Sequence, residues 1–343
     1  MLKHIFNAMI IPRYLNRGFK LKANAESRKP YESSSPWPIG FQWSPVFSFT
    51  SRLLLVFILL GIAWRGNAQE KIHQTFKDTR VINAHSVETL PKRKLDVRIS
   101  HRFGDLAGDN GGYKTFFGME NAADILFGVE YGVSDHLMLG LHRTKGAGSM
   151  PNGNSGLRQL LNGVFKLRFL QQTTDNKVPV SMALVGIASL STAEKIEDNP
   201  DIIRSFPKFA HRMATNVELV IARKFSDRFS IQLIPAYTQR NLVPFEDENG
   251  IFSLGVGARI QLTKVMAFLT DATFPFSERR KAVNGFYTPL GFGLEFDTGG
   301  HVFQINLTNT TALMETDYIP YTTSNWGEGQ FRLGFTISRL FNL

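Results

Sequence analysis

The sequence predicts an all-β fold, a transmembrane antiparallel β-barrel of about twelve strands with short periplasmic turns and long extracellular loops. Two observations predict it. After Lys94, segments of alternating apolar and polar residues repeat along the chain, and the connections between them alternate strictly between short and long. A soluble β-sandwich has similar strands but mixes its connection lengths without this order.

The first barrel segment, residues 95–103, shows the alternation clearly. It reads LDVRISHRF, with a charged or hydroxyl side chain at every even position. Successive side chains of a strand point to opposite faces, so this segment has one face for lipid and one for the lumen. The predicted strands lie near residues 94–103, 122–132, 136–145, 157–170, 178–190, 209–225, 228–240, 251–262, 265–274, 287–296, 301–310 and 328–341.

The connections fall into two classes, which predict the orientation of the barrel. The short ones are rich in Asp, Asn, Ser and Gly, which suit tight turns, and they lie at 133–135, 173–177, 226–227, 263–264 and 297–300. The long ones lie at 104–121, 146–156, 191–208, 241–250, 275–286 and 311–327. Bacterial outer-membrane barrels place short turns in the periplasm and long loops outside, so we expect that arrangement here.

The last segment, residues 331–341, has the pattern of a barrel-closing strand. It reads FRLGFTISRLF, with Leu333 expected to face lipid and Thr336 to face the lumen. Such barrels commonly end on an aromatic residue that the barrel-assembly machinery binds. Phe341 lies two residues before the end of the chain. We therefore expect two partners, the assembly machinery and outer-membrane lipid.

An export signal is predicted within residues 52–68. The apolar run 53–63 has the length of a signal-peptide core, and Arg52 precedes it. Small residues at Gly66 and Ala68 predict Sec-dependent export with cleavage after Ala68. Residues 1–51 are interpreted as a non-native or extended leader, 69–93 as a periplasmic lead-in or partial plug, and 94–343 as the barrel domain.

Composition excludes several classes of function. The chain has no cysteine, which excludes disulfides, a lipoprotein anchor and thiol catalysis. Residues 1–68 carry nine Lys and Arg against two Asp and Glu, a net charge of +7, so only +3 of the whole-chain +10 belongs to the remainder. A charge this small, spread along strands, does not predict a nucleic-acid partner.

Five stretches of the chain resemble a known family. They read TFKDTRVIN at 75–83, SVETLP at 86–91, ISHRFG at 99–104, EYGVSD at 130–135 and TGGHVFQ at 298–304. They are similar to an uncharacterised outer-membrane β-barrel family of Bacteroidota, a domain of unknown function. The resemblance covers nearly all of residues 70–343. It implies the fold and the compartment, and it carries no substrate, cofactor or catalytic residue.

Charged residues at inward positions are the candidate functional residues. An isolated buried ion is costly, so these charges must pair or stay hydrated. We expect them to form a ladder of ion pairs that mostly occludes the lumen, with Asp271 beside Arg259 and Glu218 beside Arg228. The candidates are Asp96, Arg98, Arg102, Asp124, Glu130, Lys166, Arg168, Arg212, Glu218, Arg228, Arg240, Arg259, Asp271, Glu295 and Arg332.

Three functions compete. A structural or partner-docking barrel needs the lumen charges paired. A narrow channel for small anionic solutes needs a water path past them. A lipid hydrolase embedded in the barrel needs an outward catalytic triad. His101 and His301 could supply its base, but no outward Ser stands out beside them. We therefore predict no enzyme activity, no cofactor and no metal site; the Asp and Asn residues of loop 104–121 lack the spacing of an EF-hand.

Overall fold

The computed structural model describes residues 21–23, 70–146, 157–197, 199 and 202–343. The predicted export signal, residues 52–68, and its cleavage junction lie outside the described residues. Residues 1–51 also lie outside them, apart from the backbone of the short strand β1 (Leu21–Ala23).

Twelve antiparallel strands close into one barrel. They are β2 (Lys94–Phe103), β3 (Ala122–Gly132), β4 (Leu137–Thr144), β5 (Leu160–Leu170), β6 (Ser181–Ser191), β7 (Met213–Ser226), β8 (Phe229–Arg240), β10 (Gly250–Gln261), β11 (Met266–Phe276), β12 (Leu290–Asp297), β13 (His301–Thr308) and β14 (Arg332–Asn342). Separately, β1 pairs with β9 (Leu242–Pro244). The predicted barrel and its strand number are confirmed.

Closure joins the last barrel strand to the first. On β14, Thr336 lies opposite Ser100 of β2, and Ile337 lies opposite Ile99. Every other barrel strand pairs with the barrel strands before and after it in sequence, including β8 with β10. All-neighbour pairing of this kind leaves no open sheet edge, which a membrane barrel requires.

The alternation of residue types follows the two faces of the wall. On β2, Ile99 is 41% exposed, whereas the side chain of Arg98 is fully buried in the barrel. On β3, Phe127 at the outer face is 56% exposed, and its neighbour Gly128 points inward. A Cβ at Gly128 would lie 2.2 Å from the imidazole of His142, so glycine here makes room for an inward histidine.

The connections alternate between the two ends of the barrel. The short-turn end carries residues 133–136, 171–180, 227–228, 262–265 and 298–300, and the long-loop end carries 104–121, 145–159, 192–212, 241–249, 277–289 and 309–331. The connection 171–180 is longer than predicted. Its Gln172 carbonyl accepts a hydrogen bond from the Ile72 amide at 2.9 Å, so it also holds the segment that enters the barrel.

In the part of the chain that the structure describes, helical structure is confined to the connections. The one α-helix of the described residues is α1 (Glu315–Tyr321), in the last long connection. Among these residues, no helix is long and apolar enough to cross a membrane. Five 3₁₀ turns lie at Tyr113–Thr115, Ile203–Ser205, Phe209–Arg212, Ala282–Asn284 and Trp326–Glu328.

Two inserts fill the lumen. The plug segment, residues 75–90, enters from the short-turn end and is buried except at Lys77. The loop insert, residues 309–322, folds in from the long-loop end and contains α1. Apolar residues of both inserts pack in one cluster with inward side chains of the wall, and these include Phe76, Val81, Val87, Met314, Leu126, Val164 and Leu269. The core of this protein therefore lies inside the barrel.

Candidate functional site

Most of the predicted lumen charges lie on the inner wall. Their side chains are buried or nearly so, and the strand alternation turns them toward the two inserts. This group is Asp96, Arg98, Arg102, Asp124, Glu130, Lys166, Arg168, Glu218, Arg240, Arg259, Asp271, Glu295 and Arg332.

Two of the predicted lumen residues lie elsewhere. Arg228 is exposed in the two-residue turn between β7 and β8. Arg212 ends the 3₁₀ turn before β7, where it donates to the Ala193 carbonyl at 2.6 Å and covers the Phe206 ring. Both corrections have the same cause: β7 begins four residues later than predicted, at Met213, and β8 begins one residue later, at Phe229, so both arginines belong to connections.

The expected pairs within the wall are also corrected. Arg259 pairs with Glu295 at 2.9 Å rather than with Asp271. Glu218 has no contact with Arg228, which lies in the turn. Its strand register places Ala236 opposite it instead. Most inward charges of the wall find partners on the inserts, which a pattern read from the strands alone does not include.

Arg98 is bound by the plug segment. Its two terminal nitrogens donate to the two carboxylate oxygens of Asp78, at 2.9 and 2.5 Å. One of them also donates to Thr79 Oγ1 at 2.9 Å and to Asp96 at 3.1 Å. A forked arginine–carboxylate pair fixes orientation as well as charge, so this contact sets the position of the plug segment against β2.

Two cations of β5 bind the same segment. The ammonium of Lys166 donates to the backbone carbonyls of Thr79, Ser86 and Glu88, at 2.8, 3.1 and 3.0 Å. Arg168 donates to the carboxylate of Glu88 at 2.9 Å. Between β2 and β5, Glu130 of β3 accepts from Thr79 Oγ1 at 2.8 Å. The plug segment therefore supplies partners to the three strands β2, β3 and β5.

Asp271 holds the plug segment from the opposite side. One of its carboxylate oxygens accepts the backbone N–H groups of Ile82, Asn83 and Ala84, at 3.1, 2.6 and 2.9 Å. The other oxygen accepts the side-chain amide of Asn83 at 2.7 Å. A buried carboxylate with this many donors needs no cationic partner, which explains why Arg259 is free to bind Glu295.

The two inserts contact each other near the middle of the lumen. Arg80 of the plug segment donates to Glu315 of α1 at 2.6 Å and to the Leu313 carbonyl at 3.2 Å. The His85 ring lies 3.0 Å from Arg80. Burial lowers the pKa of His85 well below its usual value, and the positive charge of Arg80 lowers it further. A neutral imidazole can accept a hydrogen bond from the guanidinium, so the cluster joins the inserts without a charge clash.

A second charged cluster closes the long-loop end. Asp247, from the connection after β8, pairs with Arg240 at 3.2 Å, and its Oδ2 accepts from Arg280 at 2.8 Å. Arg280 also donates to the Pro320 carbonyl of α1 at 3.0 Å. Burial raises the pKa of Asp247, but Arg240 and Arg280 outweigh it and lower the pKa to about 2. Asp247 and Arg280 could not be predicted from the sequence, because neither lies in a strand and no local pattern marks them.

A polar cavity of about 250 Å³ opens at the short-turn end. It lies where the chain enters the barrel, beside residues 73–77. Lys77 pairs with Asp297 at 2.8 Å, and Lys224 pairs with Asp227 at 3.3 Å. Arg259 and Lys264 also line it, so its charged lining is four cations and two acids.

The outward histidines lie among aromatic rings. His101 stacks on Phe335 with ring centroids 5.6 Å apart and contacts Phe103 at 4.3 Å, and His301 stacks on Phe303 at 5.7 Å. Within the described ranges, no three His, Asp or Glu side chains are placed to hold a metal ion. Among the described residues, neither histidine makes a hydrogen bond to a serine side chain. The absence of enzyme activity stays a prediction.

A closed wall with an apolar outer face and a charged, filled lumen defines a membrane β-barrel. The chain belongs to the family described as membrane-bound β-barrel domain DUF5777, which matches residues 76–341. The match begins inside the plug segment, so the family includes that segment as well as the wall. This match confirms the resemblance to an uncharacterised β-barrel family.

Solved structures of similar fold include two porins and a channel. The NanC porin is 9% identical and covers 73% of this chain and 100% of its own, with a TM-score of 0.41. The KdgM porin is 7% identical, covering 72% and 99%, with a TM-score of 0.41. An outer membrane channel from Pseudomonas putida F1 is 13% identical, covering 74% and 98%, with a TM-score of 0.39. No curated protein matches the sequence.

Proposed function

We propose that this protein is a bacterial outer-membrane barrel whose lumen is occluded at rest by its own plug segment and loop insert. It serves as a structural or partner-docking barrel and is neither a general porin nor an enzyme. Its partners are outer-membrane lipid along the wall and the barrel-assembly machinery at the closing strand β14. Export through the Sec pathway with cleavage after Ala68, and an origin in Bacteroidota, belong to the same proposal.

The contact between the two inserts is the observation that supports an occluded lumen. Arg80 of the plug segment, which enters from the short-turn end, bonds to Glu315 of the loop insert, which enters from the other end. Both side chains are buried. A water path between the two inserts would have to separate this pair, and breaking a buried pair leaves an uncompensated charge on each side.

A narrow path for small anions is the second candidate. The cavity at the short-turn end supports it, because its charged lining has more cations than acids. A cationic vestibule concentrates small anions at its mouth. This candidate requires that the inserts move, because the lumen above the cavity is filled by the buried plug segment.

Uptake into proteoliposomes tests the proposal. Vesicles containing the full mature protein should swell no faster in a small neutral sugar than empty vesicles. The Arg80→Gln and Glu315→Gln double variant, which removes the contact between the inserts, should swell faster. The exposed pair Lys281 and Glu278, changed to Gln in the same way, is the matched control and should behave like wild type. Rapid swelling with the wild-type protein would contradict the proposal.

A further inference from the structure

Three cations of the wall depend on the plug segment for their partners. Among the described residues, the Lys166 ammonium donates hydrogen bonds only to backbone carbonyls of this segment. Arg98 forms its forked pair with the carboxylate of Asp78, and Arg168 pairs with the carboxylate of Glu88. Without the plug segment, Lys166 keeps no such bond, and Arg168 keeps only its bond to the carbonyl of Asp135.

These cations converge on one place. Arg98 contacts Thr79 Oγ1 at 2.9 Å, and Lys166 contacts the carbonyl of the same residue at 2.8 Å. The side chains of Arg98 and Lys166 are fully buried, and Arg168 is nearly so. A single ligand of a few ångströms in length can therefore reach the first two, and a longer one reaches all three.

Two acids lie beside these cations. Asp96 accepts from Ser338 at 2.6 Å and from Arg98 at 3.1 Å, both in the wall. Glu130 lies 3.2 Å from the His142 ring and accepts from the Thr79 hydroxyl of the plug segment at 2.8 Å. The groups that the plug segment neutralises on β2 and β5 are thus cationic, and it brings two carboxylates, Asp78 and Glu88, to do so.

We propose that Arg98, Lys166 and Arg168 form a binding site for a solute that carries two or more carboxylates, and that Asp78 and Glu88 occupy this site in the closed barrel. The inference rests on the occluded barrel proposed above and names the ligand that competes with the plug segment. The arginine fork favours a planar carboxylate, and the Lys166 ammonium donates hydrogen bonds to oxygen atoms of the ligand between its acidic groups. A monocarboxylate can replace only one of the plug's two anions and is a weak competitor.

Planar-bilayer recordings with citrate as the probe test the site. The variant with Asp78→Asn and Glu88→Gln removes both anions of the plug segment with little change in volume. It should conduct with anion selectivity, and citrate should reduce its current at a concentration at least tenfold below that of acetate. Adding Arg98→Gln should remove this preference. The matched control, Asp109→Asn with Glu120→Gln, changes two exposed loop acids and should stay closed. A folded plug variant that stays closed, or that responds equally to citrate and acetate, overturns the proposal.

A second measurement keeps the wild-type charges in place. The chain has no cysteine, so a single introduced cysteine can be labelled specifically. Val87 is fully buried in the plug segment. The rate of thiol labelling of Val87→Cys therefore reports how often that segment becomes exposed. Citrate should raise this rate several-fold over acetate at equal ionic strength, and Arg98→Gln should abolish the increase. An unchanged rate overturns the site. Failure of the occluded barrel itself would show differently, as wild-type conductance without citrate.

Discussion

At the scale of single residues, the wall and the plug segment are held together by charged groups whose partners lie far away in sequence. Asp271 of β11 accepts backbone donors from residues 82–84, and Arg98 of β2 binds Asp78. Inward position could be predicted for these residues from strand alternation. The partners could not, because alternation specifies a face and does not specify what fills the space that the face encloses.

We expect Asp271→Ala to be strongly destabilising. It leaves three buried backbone N–H groups without an acceptor, and each such group costs about 1–3 kcal/mol. The side-chain amide of Asn83 keeps only its bond to Thr308 at 3.4 Å. The loss should be about 3–5 kcal/mol, the range for a broken buried charged contact. Reversible urea unfolding in lipid vesicles measures it, with exposed Asp227→Ala as the control. A loss below about 1 kcal/mol, the size of a surface substitution, would contradict the assigned role.

The charged cluster at the long-loop end predicts that the free energy of unfolding depends on pH. The folded-state pKa of Asp247 is about 2, below the value of about 3.9 for an unfolded aspartate. Because the pKa is depressed by folding, the stabilisation is complete above about pH 4 and is lost as the pH falls toward 2. The stability difference between wild type and Asp247→Asn should shrink by about 2 kcal/mol over that interval.

Urea titrations at neutral pH and at several points below pH 4 check this dependence. Glu246→Gln, at a neighbouring acid whose side chain is 73% exposed, is the control. A stability difference that stays constant across the acid range would show that Asp247 does not depend on its arginines in the folded state.

At the scale of elements, strands could be predicted well and inserts could not. The bounds of β2 and β3 match the prediction, because alternation there is regular from end to end. β13 ends at Thr308, two residues early, since the loop insert begins there and turns Asn309 and Thr310 into the lumen. The plug segment has no period of its own. Its extended path is set by the wall that surrounds it, which a reading of local sequence does not contain.

A lipid-facing position should reject charge. Phe127 lies at the middle of β3 and is 56% exposed on the outer face. Phe127→Arg should destabilise the barrel by about 2–4 kcal/mol, because the arginine must leave water for hydrocarbon. Folding titrations into vesicles measure the loss. Tyr113→Arg, at an 80% exposed position in a long loop, should cost little, and equal losses at the two positions would refute the assignment of the faces.

At the scale of the whole molecule, the wall is a container whose core is supplied from both ends. A barrel of about twelve strands encloses more space than the side chains of its own wall fill. Here the plug segment and the loop insert bring apolar residues as well as charges into it. This arrangement explains how a membrane barrel with an apolar exterior can also have a packed hydrophobic interior.

The two classes of connection predict how the barrel is oriented in the membrane. Short turns should face the periplasm and long loops the exterior. Single cysteines at Asn110, in a long loop, and at Asp227, in a short turn, are both exposed. On intact cells, a membrane-impermeant thiol reagent should label Asn110→Cys and leave Asp227→Cys unlabelled. Labelling at Asp227→Cys alone would invert the topology.

The central claim is that the barrel is closed at rest by its own chain. Single-channel recording of the refolded mature protein in a planar bilayer tests it most directly. We expect no steady conductance from the wild-type protein, because the buried Arg80–Glu315 contact joins the two inserts across the lumen. A stable wild-type conductance comparable to that of a large open porin would contradict the account and make the channel the primary function.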